Sequence, residues 1–174
     1  MRTSALLVMF LLARSMLPQM RAPASEYQVK AAFLLNFTKF IEWPPRAFDD
    51  AKAPIAICLF GDDPFDGALN QLVEGEVVNG RKLVVQKIRH APAAKTCQVV
   101  FVNKAEKEPS KILGGLGPGV LTVGEGEGFL RDGGMIAFVL ENHRVRFDIN
   151  QGAASNAELS LSSRLLSVAK TVAK

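Results

Sequence analysis

The sequence predicts a single α/β domain with a mixed, mostly parallel β-sheet flanked by helices on both faces. Three observations support this fold class. The length of 174 residues suits one domain. Short, uninterrupted apolar runs are typical of buried parallel strands, and they alternate along the chain with segments of helical periodicity. Two tight polar turns between apolar runs indicate antiparallel hairpins, which makes the expected sheet mixed.

The first 24 residues are predicted to be a signal peptide and not part of the fold. Arg2 supplies a basic start, Ala5 to Ala13 is an apolar run, and Ala22-Pro23-Ala24 offers the small residues that signal peptidase recognises. The run is shorter than the ~20 residues of a membrane-spanning helix, although the arginines that follow it leave an uncleaved anchor as an alternative. We therefore expect an exported domain over residues 25–174.

The elements of this domain follow from apolar periodicity and turn residues. Ser25 is predicted to begin a helix that runs to Trp43, and Gln28 completes a capping box with it. Asn36 lies in the apolar stripe of this helix, where a buried amide is favoured over a pocket residue. Asn79-Gly80 predicts a hairpin turn. The other predicted strands are 55–60, 83–88, 97–102, 120–123, 135–140 and 145–149, and the other predicted helices are 65–73, 106–116 and 162–174.

The two cysteines, Cys58 and Cys97, each lie in an apolar run that is predicted to be a strand or its start. An even pair in an exported chain predicts one disulfide bond, with two buried free thiols as the alternative. Neither cysteine lies near the cleavage site, which excludes a lipoprotein anchor of that kind.

The charge of the chain argues against a nucleic-acid partner. The 21 basic and 17 acidic residues give a formal net charge of +4, but the predicted signal peptide holds three of the basic residues and none of the acidic ones. The remaining net charge of +1 is too small for a basic nucleic-acid footprint.

No residue pattern indicates a catalytic centre, a metal site or a cofactor. The two histidines, His90 and His143, are far apart in sequence and fall in predicted turns. The glycine-rich segment 124–128 follows a strand, but it lacks the spacing and the lysine of a phosphate-binding loop, so a flexible turn is favoured. A nucleotide-binding enzyme built on this segment stays as an alternative. We therefore predict a non-enzymatic protein.

Seven segments, taken in order, resemble the YfiR-like family of periplasmic regulators. They cover essentially the whole chain after the signal peptide, and the first and last are the most specific. The segments are YQVKAAFLLNFTKFIEWP, ICLFGDDPF, VNGRKLVV, CQVVFV, VLTV, GGMIAFVLENHRVRFDIN and LSLSSRLLSVAK.

The resemblance implies a periplasmic protein that represses an inner-membrane diguanylate cyclase by binding the periplasmic sensor domain of that enzyme, and so controls cyclic di-GMP signalling and biofilm formation. It also implies an OmpA-like outer-membrane lipoprotein as a second partner and a homodimer. The alternative is a periplasmic receptor for a small molecule or peptide that acts with another membrane signalling or transport protein.

The resemblance also implies roles for particular residues. Cys58 and Cys97 match the strand positions of a disulfide in the family, whereas a second cysteine pair of the family is missing here. A ligand site is implied near Ser160, Ser162, Arg164 and Arg146.

Two aromatic residues are predicted as partner-binding residues, because aromatic side chains anchor interfaces. They are Trp43, at a double-proline corner, and Phe129, after the glycine-rich segment. The alternative for both is an ordinary position in the core or at a corner of the fold.

Overall fold

The computed structural model describes residues 24–126 and 128–174, so the predicted signal peptide lies outside the described residues up to residue 23. The strands are β1 (Ile41–Glu42), β2 (Ile55–Phe60), β3 (Val77–Val78), β4 (Arg81–Ile88), β5 (Val99–Val102), β6 (Leu121–Glu125), β7 (Ile136–Glu141), β8 (Arg144–Asn150), β9 (Ser160–Leu161) and β10 (Thr171–Ala173). The helices are α1 (Glu26–Lys39), α2 (Ala68–Val73), α3 (Pro109–Gly114), α4 (Gly128–Arg131), α5 (Gln151–Asn156) and α6 (Ser163–Val168).

The predicted fold class is confirmed. Eight of the described strands form one sheet in the order β10-β8-β7-β6-β5-β2-β4-β3, and β1 pairs with β9 in a small separate ladder. The central strands β4, β2, β5, β6 and β7 are mutually parallel. The antiparallel pairs of this sheet are β3–β4 and β7–β8. Because the central strands run in one direction, the sheet has a distinct amino end and a distinct carboxyl end.

Helices cover both faces of the sheet, as alternation along β2 illustrates. Ile57 and Leu59 belong to the larger apolar cluster, together with residues of α1, α2, α5 and α6. Ala56 and Cys58 point to the opposite cluster, which contains residues of α3 and α4. All four side chains are at most 3% exposed. The uninterrupted apolar run of β2 therefore reflects burial on both faces.

Both hairpins have the turns that their sequences favour. Asn79 and Gly80 join β3 to β4 with φ angles of 51° and 78°, and Asn142 and His143 join β7 to β8 with φ angles of 49° and 60°. Two consecutive residues with positive φ match the right-handed twist of the flanking strands. Asparagine and glycine tolerate this conformation better than most residues.

The predicted last helix, 162–174, is wrong in its second half. Ser162 caps α6, but the helix ends at Val168, and Thr171–Ala173 form β10, which pairs in parallel with β8. The hydroxyl of Thr171 donates a hydrogen bond to Oδ1 of Asp148 at 2.6 Å. This bond satisfies a carboxylate that is only 8% exposed, so the strand stabilises a buried polar group that a helix would leave unpaired.

Several other elements differ from their predictions, and α5, β1 and β9 were not predicted. The helix expected over 106–116 is only Pro109–Gly114, between a proline at its first turn and a glycine pair at its end. α1 ends at Lys39, and the chain continues as β1 before Trp43. The helix α4 follows the glycine-rich segment, where no helix was expected.

Candidate functional site

A cluster of charged and polar side chains lies at the carboxyl end of the sheet, where α1 crosses the end of β6. Nζ of Lys30 donates hydrogen bonds to Oε1 of Glu26 and to Oε1 of Glu125. The hydroxyl of Tyr27 donates to the same Glu125 oxygen at 3.2 Å, and the backbone N–H of Lys104 donates to Oε2 of Glu125 at 3.0 Å. Glu125 therefore joins α1 to the segment after β5. We call these residues the Lys30 cluster.

The two central charges of the Lys30 cluster are buried. The side chain of Lys30 is 4% exposed and that of Glu125 is 5% exposed. The ammonium of Lys30 also lies 4.6 Å from the centre of the Tyr27 ring, a geometry that favours the charged form. Buried charges are costly unless they are paired, so this arrangement depends on every partner being in place.

The cluster shifts the pKa of two of its groups. Burial disfavours the charged form of Lys30, but the hydrogen bonds and charges of Glu125 and Glu26 outweigh it and raise the pKa of Lys30 above 10.5. Burial, together with the negative charge of Glu125, raises the pKa of Tyr27 above 10.0. Lys30 is therefore protonated at neutral pH, where it acts as a fixed cation and not as a base or a nucleophile.

A cavity of about 280 Å³ opens beside the Lys30 cluster. Its charged wall contains Glu26, Lys30, Lys104 and Glu125, and its apolar wall contains Phe138 to Leu140 of β7. Leu140 is 58% exposed. An exposed leucine next to a cavity with fixed charges of both signs is suited to binding a partner.

Local sequence explains how this site is built. The hydroxyl of Ser25 accepts a hydrogen bond from the N–H of Gln28 at 3.3 Å, and Oε1 of Gln28 accepts one from the N–H of Ser25 at 2.8 Å. This confirms the predicted capping box and fixes the first turn of α1, which carries Glu26 and Tyr27. At Gly124, just before Glu125, an added Cβ would lie 2.4 Å from the ring of Phe129, so only glycine allows this close packing.

The amino end of the sheet is held differently, by neutral hydrogen bonds and by a disulfide. The predicted bond between Cys58 and Cys97 is present, with 5.9 Å between the two Cα atoms. Next to it, Gln98 is only 5% exposed. Its side chain accepts a hydrogen bond from the N–H of Ala56 at 2.8 Å and donates one to the carbonyl of Ala47 at 2.6 Å.

The predicted ligand-binding residues occupy two places. Ser160 lies in β9, Ser162 caps α6 by accepting a hydrogen bond from the N–H of Leu165 at 3.2 Å, and Arg164 is exposed in α6. Arg146 is exposed on β8, where it lines a cavity of about 390 Å³ at the end of the β7–β8 hairpin. That cavity also contains Glu141, Asn142 and Arg144 but none of the three other residues.

The two predicted partner-binding aromatics have different surroundings. Trp43 is half-buried, its Nε1–H donates a hydrogen bond to the carbonyl of Gln98 at 3.3 Å, and its ring packs edge-on against Phe48. Phe129 is only 4% exposed and belongs to the apolar cluster on the α3 and α4 side of the sheet. Only Trp43 therefore presents part of its ring at the surface of this structure.

Sequence reasoning missed Lys30, Glu125 and Gln98 as organising residues. A signal was present for Lys30, which lies four residues after Glu26 and shares the apolar stripe of Phe33 and Phe37 at helical spacing. No comparable signal identified the partners of Glu125 and Gln98, because those contacts join residues that are far apart in sequence.

Within residues 24–126 and 128–174, no group of three or more histidine, cysteine or carboxylate side chains could hold a metal ion. The two histidines are exposed. No helix in that part of the chain combines the length and the hydropathy that crossing a lipid bilayer requires.

Solved structures give a likeness of fold. The chain is similar to a conserved domain protein from Vibrio cholerae O1 biovar El Tor strain N16961, with a TM-score of 0.53 and 9% sequence identity. The similarity covers 85% of this chain and 60% of that chain, so this chain spans about three fifths of the length of that solved chain. At this identity the likeness concerns the fold alone. None of the curated proteins matches the sequence.

A family model gives the relationship that the solved structures do not. The model described as YfiR/HmsC-like (DUF4154) matches residues 27–170. The match runs from Tyr27 in α1 to Lys170 just before β10, and it includes the disulfide and all of the Lys30 cluster except Glu26. It confirms the resemblance noted in the sequence, and the chain belongs to the YfiR/HmsC-like family.

Proposed function

We propose that this protein is a periplasmic regulatory binding protein that represses a membrane-bound diguanylate cyclase through the periplasmic sensor domain of that enzyme. The observation that carries the proposal is the match of the YfiR/HmsC-like family model over residues 27–170. The predicted signal peptide supports the location, and repression by binding requires neither a cofactor nor catalytic residues.

The surface that we propose for the partner is the cavity beside the Lys30 cluster together with Leu140. Fixed charges of both signs give specificity, and an exposed apolar side chain gives contact area. Binding would repress the cyclase if this surface has a higher affinity for the inactive state of the sensor domain than for the active one.

The site residues predicted from the family resemblance, and the two aromatic residues predicted as partner contacts, are kept as further proposals. Ser160, Ser162, Arg164 and Arg146 remain the proposed ligand-binding residues, and Trp43 remains a proposed partner contact. The ring of Phe129 is buried, so it cannot contact a partner directly. It would affect partner binding only by holding the glycine-rich segment, which packs against it at Gly124, in place.

Cellular cyclic di-GMP in a deletion strain of the source bacterium tests the proposal. We expect deletion to raise cyclic di-GMP and the complete gene to restore it, whereas a gene that lacks residues 1–24 does not restore it. An unchanged level after deletion would contradict repression of a cyclase. Restoration by the gene without residues 1–24 would contradict action in the periplasm.

Two matched substitutions locate the surface. Leu140→Glu places a carboxylate at an apolar contact next to Glu26 and Glu125, and we expect at least about tenfold weaker binding and failure to restore cyclic di-GMP. Val77→Glu is the matched control. The side chain of Val77 is about as exposed as that of Leu140, at 56% against 58%, but it lies on β3 at the far edge of the sheet. Normal repression by the Leu140 variant, at equal protein levels, would exclude this surface.

A further inference from the structure

A second cavity lies at the amino ends of β2, β5 and β6, at the opposite end of the sheet from the Lys30 cluster. Its volume is about 280 Å³. Ala56 and the disulfide-bonded Cys97 line it, together with the exposed side chains of Asp49, Gln86 and Thr96. It is independent of the partner surface proposed above.

The walls of this cavity are held firmly in place. Gln98 bridges two of them, because its side chain binds the backbone of Ala56 in β2 and the backbone of Ala47 in the segment before β2. Gly119 forms part of a third wall, and an added Cβ there would lie 2.9 Å from the Cβ of Ala47. The cavity is therefore preformed, which lowers the entropic cost of binding a ligand.

The groups that line the cavity are polar and nearly balanced in charge. Arg46 already pairs with Glu158, and Asp49 forms no ion pair with another described residue. The hydroxyl of Thr96 donates to the carbonyl of Ala93 at 3.1 Å, which leaves its oxygen free to accept. The carboxamide of Gln86 both donates and accepts hydrogen bonds. One side chain, Phe48, adds an apolar wall.

We propose that this cavity binds a neutral, polyhydroxylated small molecule of monosaccharide size. Hydroxyl groups both donate and accept, so they match a wall that offers a carboxylate, a carboxamide and a hydroxyl. The ring carbons of a sugar can pack against the part of Phe48 that lines the cavity, although the guanidinium of Arg81 already lies 3.7 Å from the centre of that ring. A volume of about 280 Å³ is near the lower limit for ligand pockets.

The same walls disfavour charged ligands. An anion would meet the carboxylate of Asp49, and Arg46 is already paired with Glu158. A cation would meet the guanidinium of Arg81, which lies 3.7 Å from the centre of the ring of Phe48, a residue that lines the same cavity. Charge therefore selects a neutral ligand, and hydrogen bonding selects a polar one.

Titrations followed by amide NMR spectra of the protein without residues 1–24 test the proposal. The probes are D-glucose, D-galactose, D-mannose and N-acetyl-D-glucosamine, each up to about 20 mM, with lactate and putrescine as anionic and cationic comparisons. We expect at least one of the sugars to shift the amide signals of residues 46–49, 96–98 and 119–120. We expect lactate and putrescine to leave those signals unchanged.

Substitutions at the cavity distinguish specific binding of a sugar in the cavity from weak, non-specific contact with the protein surface. Asp49→Ala and Gln86→Ala should each weaken the affinity for the bound sugar about tenfold, since each removes a hydrogen-bonding group. Asp132→Ala and Gln71→Ala are matched controls at exposed positions outside the cavity and should leave the affinity unchanged. The proposal is overturned if no sugar shifts these signals, if lactate or putrescine shifts them more, or if the cavity variants bind as the wild type does.

Discussion

The two ends of the sheet are held together by different kinds of interaction. At the carboxyl end, buried charges in the Lys30 cluster tie α1 to β6 and to the segment after β5. At the amino end, the carboxamide of Gln98 and the indole N–H of Trp43 join the segments before β2 and β5, and the disulfide joins β2 to the segment before β5. The charged end is expected to respond to deprotonation of Lys30 and Tyr27 at high pH, whereas the neutral end is expected to respond to reduction of the disulfide. The same domain can therefore be loosened at one end while the other stays intact.

Removing the disulfide at the amino end should have the largest effect on stability. The double substitution Cys58→Ala and Cys97→Ala opens a loop of 39 residues, and we expect the free energy of unfolding to fall by about 4 kcal/mol in the chain-entropy account of disulfides. Urea-induced unfolding of the wild type and the variant measures this loss. A loss below about 1 kcal/mol would mean that the bond contributes little constraint.

The substitution Lys30→Met should have the next largest effect, at the other end. It leaves the buried carboxylate of Glu125 without its cation, and we expect a loss of about 3 kcal/mol in the free energy of unfolding. Lys104→Met is the matched control, because only the backbone N–H of Lys104 binds Glu125 and its side chain is exposed. Adding Glu125→Gln to Lys30→Met should recover part of this stability, because the buried charge is removed. If the Lys104→Met control and the Lys30→Met variant have the same free energy of unfolding, this account is contradicted.

The pH dependence of stability should give the smallest effect. The pKa values of Lys30 and Tyr27 are raised in the folded chain. The stability that both groups contribute is therefore fully present at pH values below their pKa values in the unfolded chain. It is lost as the pH rises through their pKa values in the folded chain. We expect the wild type to lose stability above about pH 10 more steeply than the double variant Lys30→Met with Tyr27→Phe. Parallel curves for the two proteins, from thermal unfolding at successive pH values, would contradict coupling through this cluster.

The sequence predicted the central sheet well because its signals are local. The apolar runs of β2 and β7, the Asn79-Gly80 turn and the capping box of Ser25 each depend on residues within a few positions of one another. The pairing of Cys58 with Cys97 followed from export and from an even cysteine count. Apart from the cysteine pairing, which also took the two cysteines to lie on adjacent predicted strands, none of these predictions required knowledge of which strands are neighbours in the sheet.

The sequence predictions were wrong or incomplete where the structure depends on contacts between residues that are far apart in sequence. Asn36 was expected to be buried because its neighbours on α1 are apolar, yet it is exposed, since only part of the helix circumference meets the sheet. The predicted last helix gave way to β10 because Asp148 on the neighbouring strand offers a hydrogen bond to Thr171. The Lys30 cluster joins residues that are 95 positions apart, and no local pattern reports such a contact.

The strand order of the sheet also has a consequence for the rate of folding. The hairpins β3–β4 and β7–β8 close short loops and can form early, whereas the parallel pairs at the centre, such as β2 with β5, must close loops of about 40 residues. Folding dominated by such distant pairings is slow and leaves apolar strands exposed for longer. Because Cys58 and Cys97 lie on this β2–β5 pairing, early oxidation would shorten the conformational search for the central strands and reduce the time available for aggregation.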